Sequence, residues 1–356
     1  MTEKDTENRA ERSITLAELA AYLQLTKGTV SAVLNNSPYA RSIPQHTKER
    51  IIAAAQQFNY RPNFFARTLR KKRTFTIGVI AEEIGDPYGS IIISGIESAL
   101  SQRKYFFLTV IHRHDAALLQ QYSDILRARG VEGIITVDTT LTNPPALPTV
   151  AIAGHCDLPG ITNIVLDHAH AAELAIGHLA DLGHRDIAFI KGQAFSSDSA
   201  ERWRTICDAA QQHGIVIRPE LTTQLDEDDP SPEPGYRAAK RLLATRRRFT
   251  ALVAYNDITS IGAIRAIRET GLGVPDDISV VGFDDIREAA YHVPSITTIR
   301  QPLRRMGQLA AETIVDRIEQ HTDGPGCIAI EPELVLRESS GCPTAQRHAT
   351  PASGAV

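Results

Sequence analysis

The chain has 356 residues, more than one compact core usually serves, so two or three domains are expected. With 42% hydrophobic and 22% charged residues it reads as an ordinary globular protein, and the absence of any run of about 18 apolar residues excludes a membrane-spanning class. The net charge of −4 is unevenly divided: residues 1–73 hold 13 Lys+Arg against 6 Asp+Glu, leaving 25 basic and 36 acidic residues of the totals 38 and 42 for the remainder.

Residues 1–12 are charged throughout and lack the apolar run of a secretory signal, so a disordered tail on a cytoplasmic protein is expected. Over residues 26–73 ten basic residues face the single acid Glu49, a balance that suits contact with a polyanion such as DNA. The run ITLAELAAYLQLTKGTVSAVLN carries two short helical patterns separated by a tight turn. Thr15 and Glu18 fit a capping box, and Leu16, Leu19, Ala20 and Leu23 form one apolar face. Thr26 caps a second helix that turns Val30, Val33 and Leu34 inward and leaves Lys27, Gly28, Ser31 and Ala32 off the core face. A third amphipathic helix, roughly Pro44 to Phe58, supplies Ile51, Ile52, Ala55 and Phe58 to close a small core. This is a helix-turn-helix arrangement over 13–60, of the kind that sets a recognition helix in the major groove.

The stretches LTKGTVSAVLN and FNYRPNFFARTL resemble the DNA-binding headpiece of the lactose/galactose repressor (LacI/GalR) family. The resemblance implies that Thr26 to Asn35 is the recognition helix, with Lys27, Gly28 and Ala32 facing base edges. Thr15, Thr26, Thr29, Ser31, Asn35, Tyr60 and Asn63 then contribute to the DNA-binding set. Lys27 can donate to guanine or to a phosphate, while Gly28 and Ala32 offer no polar side chain. Thr29, Ser31 and Asn35 are short polar residues suited to phosphates. Gly28 fits either a close backbone approach or simple tolerance. The link from Asn36 to Ile43 is longer than is common in the family, which leaves the roles of Tyr39 and Arg41 open. Residues 61–73 resemble the family's hinge helix, with Leu69 as an apolar wedge in the minor groove and Arg67 and Arg70 beside phosphates.

From residue 74 to 340 short apolar runs alternate with helical segments: FTIGVI, YFFLTVIH, GIITV, TVAIAG, NIVL, DIAFIKG, ALVAYN and SVVGF. Such alternation argues βαβ units, and the count calls for two doubly wound parallel sheets in two α/β lobes. Polar residues collect where the runs end: Asp86, Asp167, Ser196 and Asp198, Asn256 and Asp257, Asp284 and Asp285. Carboxyl ends of parallel strands are where open sheets bind ligands, although any one such Asp also suits a helix N-cap.

This body is similar to the family's periplasmic-binding-protein-like effector domain, on the strength of IGVIAEEIGDPYGSIIISGIESAL, HLADLGHRDIAFI and YNDITSIGAIRAIRETGLGVPDDISVVGFDD. The resemblance implies an interlobe pocket with Tyr88 and Asp167 on one side, Asp86 beside them, and Ser196, Asp198, Arg202, Asn256 and Asp284 on the other. Carboxylates and amides suit a polyhydroxylated ligand, and the Arg202 fork suits a carboxylate or phosphate equally, so sugars, sugar phosphates and purine-like effectors stay open. Where the family's pocket often carries an acid, this chain has Gly154. Trp203, the one tryptophan, fits the core better than a stacking role.

No nucleophile elbow, Walker loop or dinucleotide fingerprint appears, so an enzyme is not expected. His112 and His114, and His155, Cys156, His168 and His170, lack a recognised zinc spacing and read as surface histidines; neither metal nor cofactor is expected. Cys156, Cys207, Cys327 and Cys342 are scattered and read as free thiols. Residues 341–356 are rich in Pro, Ala and Ser and read as a disordered tail without heptads. The expectation is a homodimeric transcriptional regulator, a repressor, that binds a palindromic operator under the control of a small carbohydrate-like effector.

Overall fold

The computed structural model describes residues 14–61, 73–143, 146–226, 229–322 and 324–343. The chain divides into two compact units, Met1–Thr74 and Phe75–Val356.

The first unit holds helices α1 (Leu16–Leu23), α2 (Lys27–Leu34) and α3 (Gln45–Gln57), with a 3-10 turn at Pro38–Ser42. The Thr15 hydroxyl accepts from the Glu18 amide at 3.3 Å, and the Glu18 carboxylate accepts from the Thr15 amide at 2.8 Å, so the capping box closes. Gln24 ends α1 in the left-handed region at φ 57°, which turns the chain within two residues to the Thr26 cap of α2. Leu19, Ala20, Leu23, Val30, Ile51 and Ala54 form the core, with Phe58 and Tyr60 at its edge. Ile52, expected inside, is 46% exposed; Ala54 takes the inward place, since the face of α3 runs Ile51, Ala54, Ala55, Phe58.

The second unit is built on two six-stranded sheets. The first lobe contains β1 (Thr76–Ala81), β2 (Phe106–Ile111), β3 (Gly133–Val137), β4 (Thr149–Ile152), β5 (Ile161–Leu166) and β11 (Cys327–Ile330), in the order β11-β5-β4-β3-β1-β2. The second contains β6 (Ile187–Lys191), β7 (Thr222–Gln224), β8 (Ala251–Val253), β9 (Ser279–Asp284), β10 (Thr297–Arg300) and β12 (Glu333–Val335), in the order β12-β10-β9-β8-β6-β7. All recorded pairings are parallel except β10 with β12. β1, β3 and β9 are buried along their whole length, as central strands covered on both faces must be.

The helices of this unit are α4 (Pro87–Gln102), α5 (Ala116–Ala128), α6 (His168–Asp181), α7 (Ser197–Gln212), α8 (Glu233–Ala244), α9 (Asp257–Glu269), α10 (Arg287–Tyr291) and α11 (Leu303–Gln320). The chain passes between lobes three times, after β5, after β10 and after β11. α11 returns to the first lobe and lies against α4 so closely that a Cβ on Gly95 would stand 2.1 Å from the Arg304 carbonyl, and one on Gly307 2.1 Å from that of Ile92. The crossings point the carboxyl ends of both sheets at one cleft. Trp203 packs edge-on against Phe189 in the core of the second lobe.

Residue 341 does not begin a loose tail. The Gly341 carbonyl accepts from His184 Nε2 and from Ser279 Oγ, both at 2.9 Å, so the described chain is tied to the second lobe at this point. Among the described residues no helix is long and apolar enough to cross a membrane.

Candidate nucleic-acid interface and candidate ligand cleft

In the first unit, Thr26, Lys27 and Gly28 are exposed together at the start of α2. The Thr26 hydroxyl accepts from the Thr29 amide at 3.1 Å and meets the Thr29 hydroxyl at 2.9 Å, leaving the amides of the first turn aimed outward with Lys27 beside them. Exposed Tyr22, Tyr39, Arg41 and Arg50 surround the helix pair. A Cβ on Gly28 would meet nothing nearer than the Thr26 hydroxyl at 3.7 Å, so the fold of this unit does not itself require the glycine. Thr15 is exposed but committed to the capping box.

Four expected DNA contacts are placed differently. Ala32 is 7% exposed and packs on Ala40 and Ile43, because the longer link coils into the Pro38–Ser42 turn and covers that side of α2; its methyl group faces protein and not an open groove surface. Ser31 is 9% exposed, and Asn35 turns its amide back to the Ser31 carbonyl at 2.8 Å and hydroxyl at 3.2 Å. Tyr60 rests its ring on the core edge. Asn63, Arg67, Leu69 and Arg70, with the rest of the expected hinge helix, lie outside the described residues.

In the second unit, strand ends of both lobes line a cavity of about 100 Å³. From the first lobe come Glu82 and Glu83 after β1, Asp86 and Tyr88 at the start of α4, and Asp138 after β3. From the second come Ser196, Asp198 and Arg202 on α7, Tyr255 and Asn256 before α9, and Asp284 at the end of β9. Several cap and line at once: Asp86 accepts from the Gly89 amide at 2.9 Å, Ser196 from that of Ser199 at 3.2 Å and Asn256 from that of Thr259 at 2.9 Å. Asp167 does not line the cavity. Its carboxylate accepts from the His170 amide at 3.0 Å as the N-cap of α6, the ordinary use of an Asp at a strand-to-helix turn.

Arg202 organises the floor. It donates from Nη2 to Asp198 at 2.8 Å and from Nη1 to the Tyr255 carbonyl at 2.6 Å, and its guanidinium lies over the rings of Tyr255 and Phe283. Asp198 also meets His168 Nε2 at 2.9 Å and His155 Nε2 at 3.2 Å. Burial would raise this carboxyl, but His168 and Arg202 beside it hold it well below the usual carboxylate range. The potential ligand atoms of His155, His168 and Asp198 lie within 4.8 Å of one another, yet the second Asp198 oxygen is taken by Arg202, so the group is bonded as an ion-paired network. The expectation of surface histidines fails for His168 and for His112, which is buried against the Thr139 hydroxyl at 2.9 Å.

Three other carboxyls of the cavity behave oppositely. Burial, with Asp198 and Asp86 nearby, pushes Asp138 up to about 7; burial pushes Asp284 up to about 6; burial also raises Asp86. The lobes touch across the cleft, with Ser197 Oγ donating to the Gly154 carbonyl at 3.1 Å, Thr140 Oγ1 to Ser197 Oγ at 3.1 Å and Ser196 Oγ to Asp138 at 3.4 Å. Sequence reasoning missed Glu82, Glu83, Asp138 and Tyr255. An acid directly after an apolar run was the available signal for the first three.

The family model described as bacterial regulatory proteins, lacI family, matches residues 15–63, and that of a periplasmic binding protein-like domain matches residues 176–340. The HTH-type transcriptional repressor PurR of Erwinia tasmaniensis is 32% identical over 337 residues, 91% of this chain and 96% of that protein. Its counterpart from Glaesserella parasuis is 32% identical over 340 residues, 91% and 98% of the two chains. Among solved structures, the lac repressor dimer bound to operator and the anti-inducer ONPF matches with TM-score 0.83 and 27% identity, covering 93% of this chain and 100% of that one. The cellobiose complex of the transcriptional regulator CelR matches with TM-score 0.69 and 27% identity, covering 92% and 100%.

Proposed function

The chain belongs to the lacI family of bacterial regulatory proteins, and on that footing we propose that it is a cytoplasmic repressor that binds a palindromic operator as a homodimer and answers to a small carbohydrate-like molecule in its interlobe cleft. The observation that carries this reading is the union in one chain of a basic helix-turn-helix unit, with Thr26, Lys27 and Gly28 exposed, and a two-lobed unit whose strand ends converge on a polar cavity. The relatives named as repressors match both parts together. The neighbours described with ONPF and with cellobiose support a small ligand for the second unit.

The chemistry divides accordingly. Lys27 and the amides at the start of α2 supply charge-assisted contacts to phosphate or to a guanine edge. With Ala32 covered, direct base reading from α2 is thin, and the segment of residues 61–73, proposed as a minor-groove hinge, carries a correspondingly larger share through DNA shape. In the second unit the cross-cleft bonds at Ser196, Ser197 and Asp198 define one arrangement of the lobes. A ligand that strengthens or replaces those bonds shifts the lobe angle and, by linkage, DNA affinity, with a coupling of about 1–3 kcal/mol typical of such devices.

The test is selection of duplexes from a random pool by the full-length chain, followed by anisotropy titrations of the recovered site over a salt series. A palindromic site whose log affinity falls steeply with log salt is the expected result. Weak binding without sequence preference or salt dependence would refute the reading.

A further inference from the structure

We propose, resting on the reading of the cleft as an effector site, that the effector is a small polyhydroxylated cation, an amino sugar being the simplest, with its ammonium group among Asp86, Asp138 and Asp284.

Charge balance in the cleft points to such a ligand. Seven carboxyl groups line the cavity against a single base, Arg202. Three of the seven have basic neighbours: Asp198 is bound to Arg202, His155 and His168, Glu82 is paired with His114, and Glu83 lies near Arg113. Asp86 and Asp284 accept from the Gly89 and Gln301 amides, and Asp138 accepts from the Ser196 hydroxyl with Glu82 also in hydrogen-bonding contact; Arg202 acts on Asp138 and Asp284 through space but donates its terminal nitrogens elsewhere. Asp284 is 5% exposed, so solvent does little for its charge. Largely buried carboxylates that share one base already ion-paired to another acid are costly, and a site that assembles three of them is complementary to a positive group.

Arg202, which on sequence grounds suited a phosphate or carboxylate, is largely committed within the protein, with only its buried Nε lacking a partner. Its two terminal nitrogens are bonded within the protein and its faces lie on Tyr255 and Phe283. An anionic effector would therefore meet six other carboxyl groups, with Arg202 already ion-paired to Asp198. The rest of the lining suits a hydroxylated ring: Ser196, Asn256 and Gln193 offer polar atoms, while Tyr88, Tyr255 and Phe195 offer aromatic surface to a ring face or to the cation itself. The raised carboxyls of Asp86, Asp138 and Asp284 agree with this arrangement, since a bound ammonium would restore all three to the charged form.

The experiment uses the full-length chain at about pH 7, where Asp284 is mostly ionised, Asp138 about half so, and the amine of an amino sugar still mostly protonated. Calorimetric titrations compare matched sets of one ring and three charges: glucosamine, glucose and glucuronate, then galactosamine, galactose and galacturonate. Calcium and magnesium chlorides are run alone. The expected result is that an amine binds about tenfold or more tightly than its neutral and anionic partners, and that Asp138→Asn with Asp284→Asn removes the preference. Tighter binding of a neutral or anionic sugar, binding by none of the amines, or occupation by the divalent ions in place of the amines overturns the proposal. A neutral sugar whose binding is lost in Asn256→Ala would overturn the charge assignment and leave the effector cleft standing. Failure of the regulator reading is seen separately, in the salt series on DNA.

Discussion

Asp138 is a residue whose chemistry the fold changes strongly. Its carboxyl is held near 7 by burial and by the carboxylates of Asp198 and Asp86, whereas in the unfolded chain it titrates near 4. The folded state thus binds its proton more tightly than the unfolded state does. Stability from this group is whole below about pH 4 and is lost as pH rises through about 7. Asp284, near 6, acts in the same direction over a lower window. Asp198 acts oppositely, because its depressed carboxyl loses its contribution only under acid conditions. Asp138→Asn is therefore expected to flatten the fall in melting temperature between about pH 5 and 8, and to stabilise the ligand-free protein near pH 8 by up to a few kcal/mol. Scanning calorimetry over that range checks this; an unchanged pH slope in the variant would rule out Asp138 as the source. At this scale the sequence was partly legible. Asp86, Ser196 and Asp284 stand after apolar runs and do line the cavity, but Asp167 obeys the same pattern and only caps a helix. Position after a strand does not say which way a loop turns, and the pairing of Arg202 with Asp198 became visible only with the turn of α7 that brings them together.

At the scale of elements, α2 shows how a connection alters a helix face. Helical spacing placed Ala32 outward, and it is outward with respect to the core formed by Leu19, Val30 and Ile51. The Pro38–Ser42 turn then supplies a second apolar contact, Ala40 with Ile43, which covers it. A five-residue 3-10 turn carries no periodicity to read, so its covering role was hidden. The same limit applies to β7 and β12, each three residues long, whereas the long apolar runs of β1, β5 and β9 were plain. The two views of Ala32 predict different outcomes. If its methyl group is packed as described, Ala32→Leu overfills the contact and destabilises the first unit by about 1–3 kcal/mol. Far-UV circular dichroism melts of the variant should show a lowered first transition. A residue on an open reading face would instead leave the melt unchanged and alter the preferred operator bases in a repeated selection.

For the whole molecule, the charge division and the alternation of strands with helices were readable in advance because both are sums over many residues and survive local errors. Assembly was less legible, since it depends on which strand is left at a sheet edge. β2 is one of the two edge strands of the first lobe, at the opposite end from β11, and it exposes Phe106 at 68% and Leu108 at 40%. An open edge bearing apolar side chains invites pairing with another chain and is usually covered. A second copy is the fitting cover here, because a palindromic operator needs two heads and a two-fold axis brings like surfaces together. Phe106→Asp leaves the core of the lobe untouched, as its ring is mostly in solvent, but sets a charge opposite its own copy or its neighbourhood in any such pairing. Light scattering is expected to show a shift from dimer toward monomer at micromolar concentration, with melting temperature little changed. Operator binding should weaken in parallel and recover as protein concentration is raised, because the defect lies in assembly and not in the reading helix. A variant that stays dimeric with full operator affinity would remove β2 from the interface and require another face to bring the two heads together.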